Sequence, residues 1–425
     1  MEIKYSTQDE SIIDFIKQAI EEKDAVLHEI NRKIHENPEL GYEEFKAHDN
    51  VASLLESLDY KVTRHAYGIQ TALMAEFGSG GRVIAFNAEY DALPDIGHAC
   101  GHNLIATMSI GAFIALAETL KRYKIQGRVR LLGTPAEEGG GGKLKLIEAG
   151  AYSDVDACMM IHPGPEDGCA GYTGDAYMPT LANKKFTVRF TGKAAHASMS
   201  PWQGINALDA VVLGYNGVSA LRQQIQRAQR IHGVISEGGK RPNIITAHTS
   251  LDYYVRSTSL KSADTLMERV VACFKGAAIQ TGCEVETELI NTYADVRPNK
   301  PISTLYADAM NKIGSPVKCD VNSPPVPGST DQGNVCYECP AFQGYVGIPA
   351  DPGSYNHTAG FTAAAGAEIA HKLCLEPAKG MAVVGWQILS DESVATQVWK
   401  DFDEDSKIRD LDEDIRVPVK GGGCC

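Results

Sequence analysis

Alternation between strand-like and helix-like segments is the feature of this sequence that most restricts its fold. Apolar runs of strand length at 71–77, 82–90, 128–136 and 156–164 are separated by longer segments with helical periodicity, such as 104–121. Strands that alternate with helices are typical of a mostly parallel sheet covered by helices. The sequence therefore predicts an α/β fold.

The pattern changes between residues 185 and 297. Strand-like and helix-like segments there follow the order β-α-β-β-α-β, which is the order of ferredoxin-like α+β domains. The α/β pattern resumes after Pro298, and 425 residues are too many for one ordinary core. We predict an α/β domain formed by 1–184 and 298–390, interrupted by an inserted domain at 185–297.

The sequence from residue 391 onward differs in composition. It includes DFDEDSKIRDLDEDIR, which is charged and poor in large apolar residues, so we predict an acidic, flexible tail over 391–425. The chain ends in GGGCC, which resembles the prenylated ends of small vesicle GTPases. Because anionic leaflets repel acidic segments, we favour an unmodified Cys424 and Cys425.

Charge and composition argue against several classes of partner. The net charge is −14, which disfavours nucleic acid or an anionic membrane as a general partner. No apolar run reaches the length of about 18 residues that spans a bilayer. The first residues, MEIKYSTQDE, lack the pattern of a signal peptide. We expect a cytoplasmic protein whose 11 cysteines are mostly reduced and buried.

Polar side chains follow three of the predicted strands. Asp91 and the segment GHACGHN (97–103) follow one strand, Glu137 and Glu138 follow another, and His162 ends a third. In open parallel sheets, active sites collect at the carboxyl ends of the strands. Thiolate, imidazole and carboxylate together suit zinc and similar transition metals. The sequence therefore predicts a metal site at this edge.

Two kinds of chemistry are compatible with this cluster. Cys100 and His102 lie in a glycine-flanked loop that can turn both side chains toward one ion, while one glutamate of the pair binds it. The other glutamate can accept a proton from water, which is the chemistry of metal-assisted hydrolysis. Alternatively, Cys100 is a thiol nucleophile beside a histidine.

Six motifs resemble those of metallopeptidase family M20 in order and spacing: GHACGHN, TPAEEGGGGK, MMIHPGP, FTGKAAHAS, GSTDQGNV and NHTAGF. The family contains aminoacylases, glutamate carboxypeptidases and plant auxin-conjugate amidohydrolases, and the resemblance runs from about residue 24 to 390. It is strongest to the amidohydrolase branch with a metal-binding cysteine, and within it to the Xaa-Arg dipeptidase group, in which Asn103 replaces an aspartate. The implied fold is a zinc-peptidase-like catalytic domain with an inserted lid and dimerisation domain.

The resemblance also implies site residues. The implied metal ligands are Cys100, His102, Glu138, His162 and His357. Glu137 matches the general base, and Asp91 matches an acid that orients the metal site. His196 matches a lid histidine that reaches the partner subunit's site in dimers. The family pattern is two zinc ions with Cys100 as the bridge, and manganese or cobalt can replace zinc in this branch.

The inserted domain offers residues for the substrate. Asn243 and Arg256 resemble positions that bind the substrate carboxylate or the reacting carbonyl, and the guanidinium fork of arginine matches a carboxylate. The alternative is that Arg256 is an exposed strand cation, and we favour the role in substrate binding. The pair Cys336 and Cys339 has the spacing of half a zinc ribbon, and we interpret both as buried thiols.

We predict metal-dependent hydrolysis of an amide bond in a dipeptide or N-acyl amino acid by a homodimer that pairs through the inserted domain. Three alternatives remain open at this stage. They are a cysteine hydrolase that uses Cys100, an inactive relative that binds a small amide or a partner protein, and a biosynthetic enzyme that runs the amide reaction in reverse.

Overall fold

The computed structural model of the protein describes residues 6–409, so Cys424 and Cys425 lie outside the described residues. The described chain divides into two compact units. The first unit is built from three stretches: 6–179, 296–326 and 331–406. The second unit is built from 180–295 and 327–330, with 407–409 at the end of the last helix. The second unit thus includes a short return segment that lies outside the predicted insertion at 185–297.

Strands and helices alternate along the first unit. Across both units, the strands among residues 6–409 are β1 (Lys61–Arg64), β2 (Leu73–Ser79), β3 (Val83–Ala88), β4 (Gly127–Gly133), β5 (Ala157–Pro165), β6 (Gly174–Asp175), β7 (Ala182–Thr191), β8 (Arg230–Glu237), β9 (His248–Ser257), β10 (Glu284–Tyr293) and β11 (Ala341–Ile348). The helices are α1 (Thr7–Glu21), α2 (Asp24–His35), α3 (Phe45–Ser57), α4 (His102–Tyr123), α5 (Gly142–Glu148), α6 (Ala207–Leu221), α7 (Leu260–Thr281), α8 (Lys300–Ile313), α9 (Gln332–Glu338), α10 (Ala359–Ala365), α11 (Glu368–Ser390) and α12 (Glu392–Ile408).

The first unit contains a seven-stranded sheet in the order β1-β2-β4-β3-β5-β11-β6. The four central strands, β4, β3, β5 and β11, are parallel. On the outer sides, β2 pairs antiparallel with β4, β1 pairs antiparallel with β2, and β6 pairs antiparallel with β11. Every residue of β3 is buried, as expected for a parallel strand that is covered on both faces. The mostly parallel α/β sheet predicted from the sequence is confirmed.

Helix α4 packs against this sheet and against α1, α2 and α11. It is long and apolar enough to cross a membrane by length and composition alone, but 94% of its most apolar window is buried inside the protein. A core helix of a folded domain passes the same test. Its burial on all sides explains why it is apolar around its whole circumference.

Two segments differ from the sequence-based predictions. The region 320–358, which the sequence pattern indicates to be loop-rich, contains α9 and the central strand β11. The prediction of a flexible tail from residue 391 is wrong for Glu392–Ile408, which forms α12. This helix is anchored by long-range contacts, including a hydrogen bond from Trp399 Nε1 to Asp156 Oδ1 (3.1 Å) and an ion pair between Arg297 and Asp405.

The second unit has its own sheet and core. Its four antiparallel strands run in the order β10-β7-β9-β8, and α6 and α7 connect them in the sequence β-α-β-β-α-β. Phe186, Leu251 and Phe274 are fully or almost fully buried between sheet and helices. The alternation of buried and exposed residues along β9 is what one covered face requires.

Candidate metal centre

Three neighbouring parallel strands of the first unit deliver polar side chains to one edge of the sheet. Asp91 follows β3, Glu137 and Glu138 follow β4, and His162 lies in the second half of β5. Because β3, β4 and β5 are parallel, their carboxyl ends lie together. The sequence places these residues correctly because their strands are strongly apolar.

The loop before α4 brings two further donors to this edge. Gly101 separates Cys100 from His102 and has φ of +81°, a left-handed conformation that favours glycine. A Cβ atom at this position would also lie 2.6 Å from Pro163 Cγ. The glycine therefore lets the chain turn tightly between the two donors and start α4 with His102.

Side chains of the five predicted ligands converge in three overlapping groups, within each of which the candidate donor atoms lie no more than 4.8 Å apart. The groups are Cys100/His102/His162, Cys100/Glu138/His357 and His102/Glu137/Glu138. Three residues, Cys100, His102 and Glu138, each belong to two of the groups. Glu138 belongs to two groups and Glu137 to one, which favours Glu138 as the ligand of the pair.

The donor set fits a divalent transition metal. Cys100 Sγ lies 3.4 Å from His162 Nε2, and His357 Nε2 lies 3.2 Å from Glu138 Oε1. The Nε2 atom of His102 is buried and has no hydrogen-bond partner among residues 6–409, although buried polar atoms normally have one. A cation would satisfy this atom, and zinc is commonly held by such a mixture of thiolate, imidazole and carboxylate.

Asp91 holds two parts of the centre in place. Its Oδ1 lies 2.9 Å from Nδ1 of His102, and its Oδ2 accepts the backbone N–H of Glu138 at 2.8 Å. Burial alone would raise the pKa of Asp91, but the charge of His102 and its hydrogen bond outweigh burial and lower it. Such a carboxylate fixes the tautomer and the ring orientation of a histidine ligand.

The turn after β4 presents Glu137 to the centre. Ala136 adopts φ of +59°, and its backbone N–H donates to Glu44 Oε1 at 2.8 Å. Glu137 Oε2 then lies 3.9 Å from His102 Nε2. Burial raises the pKa of Glu137 well above the ordinary value, and the charges of Glu89 and Glu138 act in the same direction. A raised pKa makes its carboxylate a better proton acceptor at neutral pH.

His357 lies far along the chain from the other candidate ligands, after the last strand of the sheet. It lies in the loop after β11 with φ of +68°, and its backbone N–H donates to Ala99 O at 2.8 Å. The neighbouring Asn356 donates through Nδ2 to the carbonyl oxygens of Cys100 and Pro163 at 3.3 and 3.2 Å. These bonds tie the loop to the chain that carries Cys100.

The three remaining predicted site residues lie in the second unit. His196 and Asn243 are exposed neighbours, since Ala197 N donates to Asn243 O at 3.1 Å. Arg256, on β9, donates through Nη1 to Ser329 Oγ at 2.9 Å and through Nε to His232 Nε2 at 3.3 Å.

Arg256 has unusual electrostatic surroundings for a surface cation. It makes no ion pair with any of the residues 6–409. Burial lowers its pKa, and no carboxylate counteracts this effect. A half-buried guanidinium of this kind is suited to an anion from outside the unit.

The thiol alternatives are disfavoured by burial. Burial raises the pKa of Cys100 strongly, whereas a nucleophilic cysteine requires a lowered pKa. Cys336 and Cys339 are buried and form no disulfide among residues 6–409, as predicted for buried thiols.

Comparison with known proteins identifies the family. Residues 85–374 match the profile of peptidase family M20/M25/M40. This chain belongs to peptidase family M20. The M20 resemblance predicted from the motifs is therefore confirmed, and the protein is a hydrolase of that family. Metal-binding peptidases are established in the family, and the candidate ligands described above lie within the matched region.

Two curated relatives cover most of this M20 chain. It is 39% identical over 402 residues to Xaa-Arg dipeptidase from Mus musculus, covering 91% of this chain and 90% of the relative. It is 34% identical over 325 residues to one of the two chains of p-aminobenzoyl-glutamate hydrolase from Escherichia coli, covering 72% and 66%. Both relatives bear the names of hydrolytic enzymes.

Solved structures support the fold. An aminobenzoyl-glutamate utilization protein from Klebsiella pneumoniae superposes with a TM-score of 0.69 at 21% identity, covering 87% of this chain and 97% of that structure. A Bacillus subtilis protein described as a dinuclear metal-binding M20 peptidase gives a TM-score of 0.63 at 20% identity, covering 86% and 99%. The zinc-peptidase-like α/β fold expected for an M20 enzyme is confirmed.

Sequence reasoning assigned no role to three charged residues of this M20 chain that lie beside the centre. They are Glu89, Lys143 and Asp331, and their side chains are completely buried. Lys143 forms one ion pair with Glu89 and another with Asp331. Glu89 lies two residues before Asp91 in sequence, and this spacing is the sequence feature that could have pointed to a role for it. Lys143 and Asp331 lie in the motifs TPAEEGGGGK and GSTDQGNV. These motifs indicate the family but no role for either residue.

Proposed function

We propose that this M20 enzyme hydrolyses the amide bond of a dipeptide or an N-acyl amino acid, with Glu137 as the general base. The observation that carries the proposal is the convergence of five metal-donor side chains beside a buried glutamate with a raised pKa. Cys100, His102, Glu138, His162 and His357 would hold the metal, with two Zn²⁺ ions as the first candidates and Mn²⁺ or Co²⁺ as alternatives.

The residues of the centre have different roles in the proposed reaction. When bound, the metal acts as a Lewis acid and acidifies water. Glu137 accepts the proton of the attacking water and returns it to the leaving nitrogen. Asp91 keeps His102 in the tautomer whose Nε2 faces the centre, and through the Glu138 backbone it also fixes the glutamate pair.

Arg256 is proposed to bind the carboxylate of the substrate. It is a half-buried cation with no ion pair among the described residues, and hydroxyl and imidazole groups hold it from two sides. Every dipeptide and N-acyl amino acid carries a carboxylate that such a fork can bind in a bidentate manner. The identity to Xaa-Arg dipeptidase supports dipeptides with a basic C-terminal residue as the first substrates to test.

Arg256→Met is expected to raise KM about 10–100-fold for a substrate with a free C-terminal carboxylate, because hydrogen bonds to charged groups contribute about 1.5–3 kcal/mol. The same substitution is expected to leave the KM of the C-terminally amidated substrate nearly unchanged. Steady-state kinetics on the two substrates measures this difference.

The matched control is Arg230→Met, which removes an exposed guanidinium from the strand position that pairs with Arg256. It is expected to leave both KM values unchanged. If Arg256→Met raises KM equally for the free and the amidated substrate, this arginine does not bind the carboxylate.

The second unit is proposed to mediate a homodimer in which His196 serves the partner's site. The edge strand β8 pairs only with β9 in the described sheet and exposes Val234 and Ile235. An exposed apolar edge strand favours pairing with another chain. His196 is itself exposed and its Nδ1 accepts backbone N–H groups from Ser198 and Met199, so its Nε2 is directed away from its own loop.

Mixing His196→Ala subunits with Glu137→Gln subunits tests the dimer. If His196 acts across the interface, each heterodimer contains one complete site, so random mixing should restore about a quarter of wild-type activity. Each variant alone should be nearly inactive. If mixing and re-equilibration leave the activity at the level of the two separate variants, His196 does not act on a partner subunit.

A further inference from the structure

A buried ion cluster lies beside the metal centre, and none of its members is assigned as a metal ligand or as the general base. Lys143 Nζ lies 2.5 Å from Glu89 Oε1 and 2.5 Å from Asp331 Oδ1, and the side chains of all three residues are 0% exposed. The backbone N–H of Lys143 also donates to Asp331 Oδ2 at 3.0 Å. Burying three charges costs free energy that pairing only partly offsets, so stability alone is a weak reason for this cluster.

The cluster reaches the predicted metal ligand His102 through Glu89. While Oε1 of Glu89 contacts Lys143, its Oε2 lies 3.4 Å from His102 Nε2 and has no hydrogen-bond partner within the described part of the chain. Nδ1 of the same ring faces Asp91 at 2.9 Å. Both nitrogens of this imidazole therefore face carboxylates, which come from two acids only two residues apart in sequence.

The local chain explains why Lys143 turns inward. The glycine run of TPAEEGGGGK leads directly into α5, and Lys143 is the second residue of that helix. Asp331 immediately precedes α9 and accepts from both the backbone and the side chain of Lys143. These bonds fix the ammonium group beside Glu89 rather than in solvent.

We propose that Lys143, Glu89 and Asp331 are positioning residues for the metal centre. Lys143 and Asp331 hold Glu89, and Glu89 in turn supplies negative charge next to the Nε2 atom of His102. The two carboxylates and one ammonium leave one net negative charge beside the ligand, which favours a cation there. This inference rests on the proposed function, because it takes His102 to be a metal ligand.

The test is the metal affinity of Glu89→Gln, measured by competition with a chromogenic chelator for Zn²⁺. The substitution keeps the size of the side chain and removes its charge. Loss of a residue that orients a ligand typically lowers metal affinity about 10–100-fold, and we expect a decrease in this range. Chemical unfolding of the metal-free protein, measured in parallel, separates the loss of affinity from a loss of stability.

Glu76→Gln is the matched control. Glu76 shares a partly buried cluster with Arg130 and Asp154 on the same sheet, with Arg130 Nη2 2.6 Å from Glu76 Oε2. No member of that cluster belongs to the candidate ligand groups. Glu76→Gln should therefore lower stability slightly and leave the affinity for Zn²⁺ unchanged.

Asp331→Asn provides a second variant in case Glu89→Gln does not fold. It weakens the anchor of Lys143 while Glu89 stays intact, and it should also lower Zn²⁺ affinity. If wild-type protein binds Zn²⁺ and the folded variants bind it within about twofold of wild type, the positioning role is overturned while the proposed function stands. If wild-type protein binds no Zn²⁺, Mn²⁺ or Co²⁺, the proposed function fails and this inference fails with it.

Discussion

Glu137→Gln is expected to lower kcat by about 10²–10⁴-fold, which is the usual effect of removing a general base. The amide cannot accept the proton of the attacking water, whereas the carboxylate of Glu137 is a strengthened base because burial and the neighbouring Glu89 and Glu138 raise its pKa. The fold should be retained, because glutamine has the size of glutamate. The measurement is steady-state turnover of a dipeptide substrate.

The control for this prediction is metal content, measured on the same samples. Glu137→Gln should keep wild-type occupancy, while Glu138→Gln should lose metal because Glu138 belongs to two of the three donor groups. This contrast separates the base from the ligand within one adjacent pair. Near-normal turnover by Glu137→Gln with full metal content would place the base elsewhere.

Removal of metal is expected to abolish hydrolysis, and addition of Zn²⁺, Mn²⁺ or Co²⁺ is expected to restore it. The affinity should fall as the pH is lowered, because thiolate and imidazole ligands must lose protons before they bind a metal. Burial raises the pKa of the Cys100 thiol in the absence of an ion, so protons compete strongly at this ligand. A chelator titration at pH 6 should therefore remove metal at lower chelator concentration than at pH 8.

A pH-independent chelator titration would contradict the assignment of Cys100 and the histidines as ligands. The chelator's own protonation is corrected with a metal-buffer standard at each pH. Cys100→Ser is the informative variant, since an alcohol oxygen is a much poorer ligand for zinc than a thiolate. Its metal affinity should drop at both pH values.

The strand-end residues could be predicted from the sequence because their strands are short, mostly apolar segments that alternate with helical ones. Asp91 and the glutamate pair follow β3 and β4, whose interiors are buried, and a parallel sheet gathers such residues at one edge. The position of His357 was inferable only from the family resemblance. It lies more than 250 residues from Cys100 in sequence, and no local pattern reports a contact over that distance.

Strand β11 was missed because its sequence, AFQGYVGI, contains two glycines and a glutamine, which weaken the apolar pattern. It forms because β5 and β6 pair with it on either side. Helix α12 was missed because its acidic composition resembles that of disordered segments. Only Ala395 and Val398 of this helix are buried, and its other anchors are polar contacts with distant parts of the chain.

The ion cluster of Lys143 could not be predicted for a different reason. Lysine is almost never fully buried unless it is paired, and its partners Glu89 and Asp331 lie on different elements far apart in sequence. A glycine run followed by lysine suggests a solvent-exposed turn. Only the fold reveals that this turn faces the interior beside His102.

The most direct test of metal-dependent amide hydrolysis uses one preparation divided into metal-free and metal-reconstituted samples. Metal content is measured by elemental analysis, and both samples are assayed with a panel of dipeptides and N-acyl amino acids. The account predicts turnover of at least one carboxylate-bearing amide by the reconstituted sample and none by the metal-free sample. Full activity in a sample shown to contain no metal would contradict it.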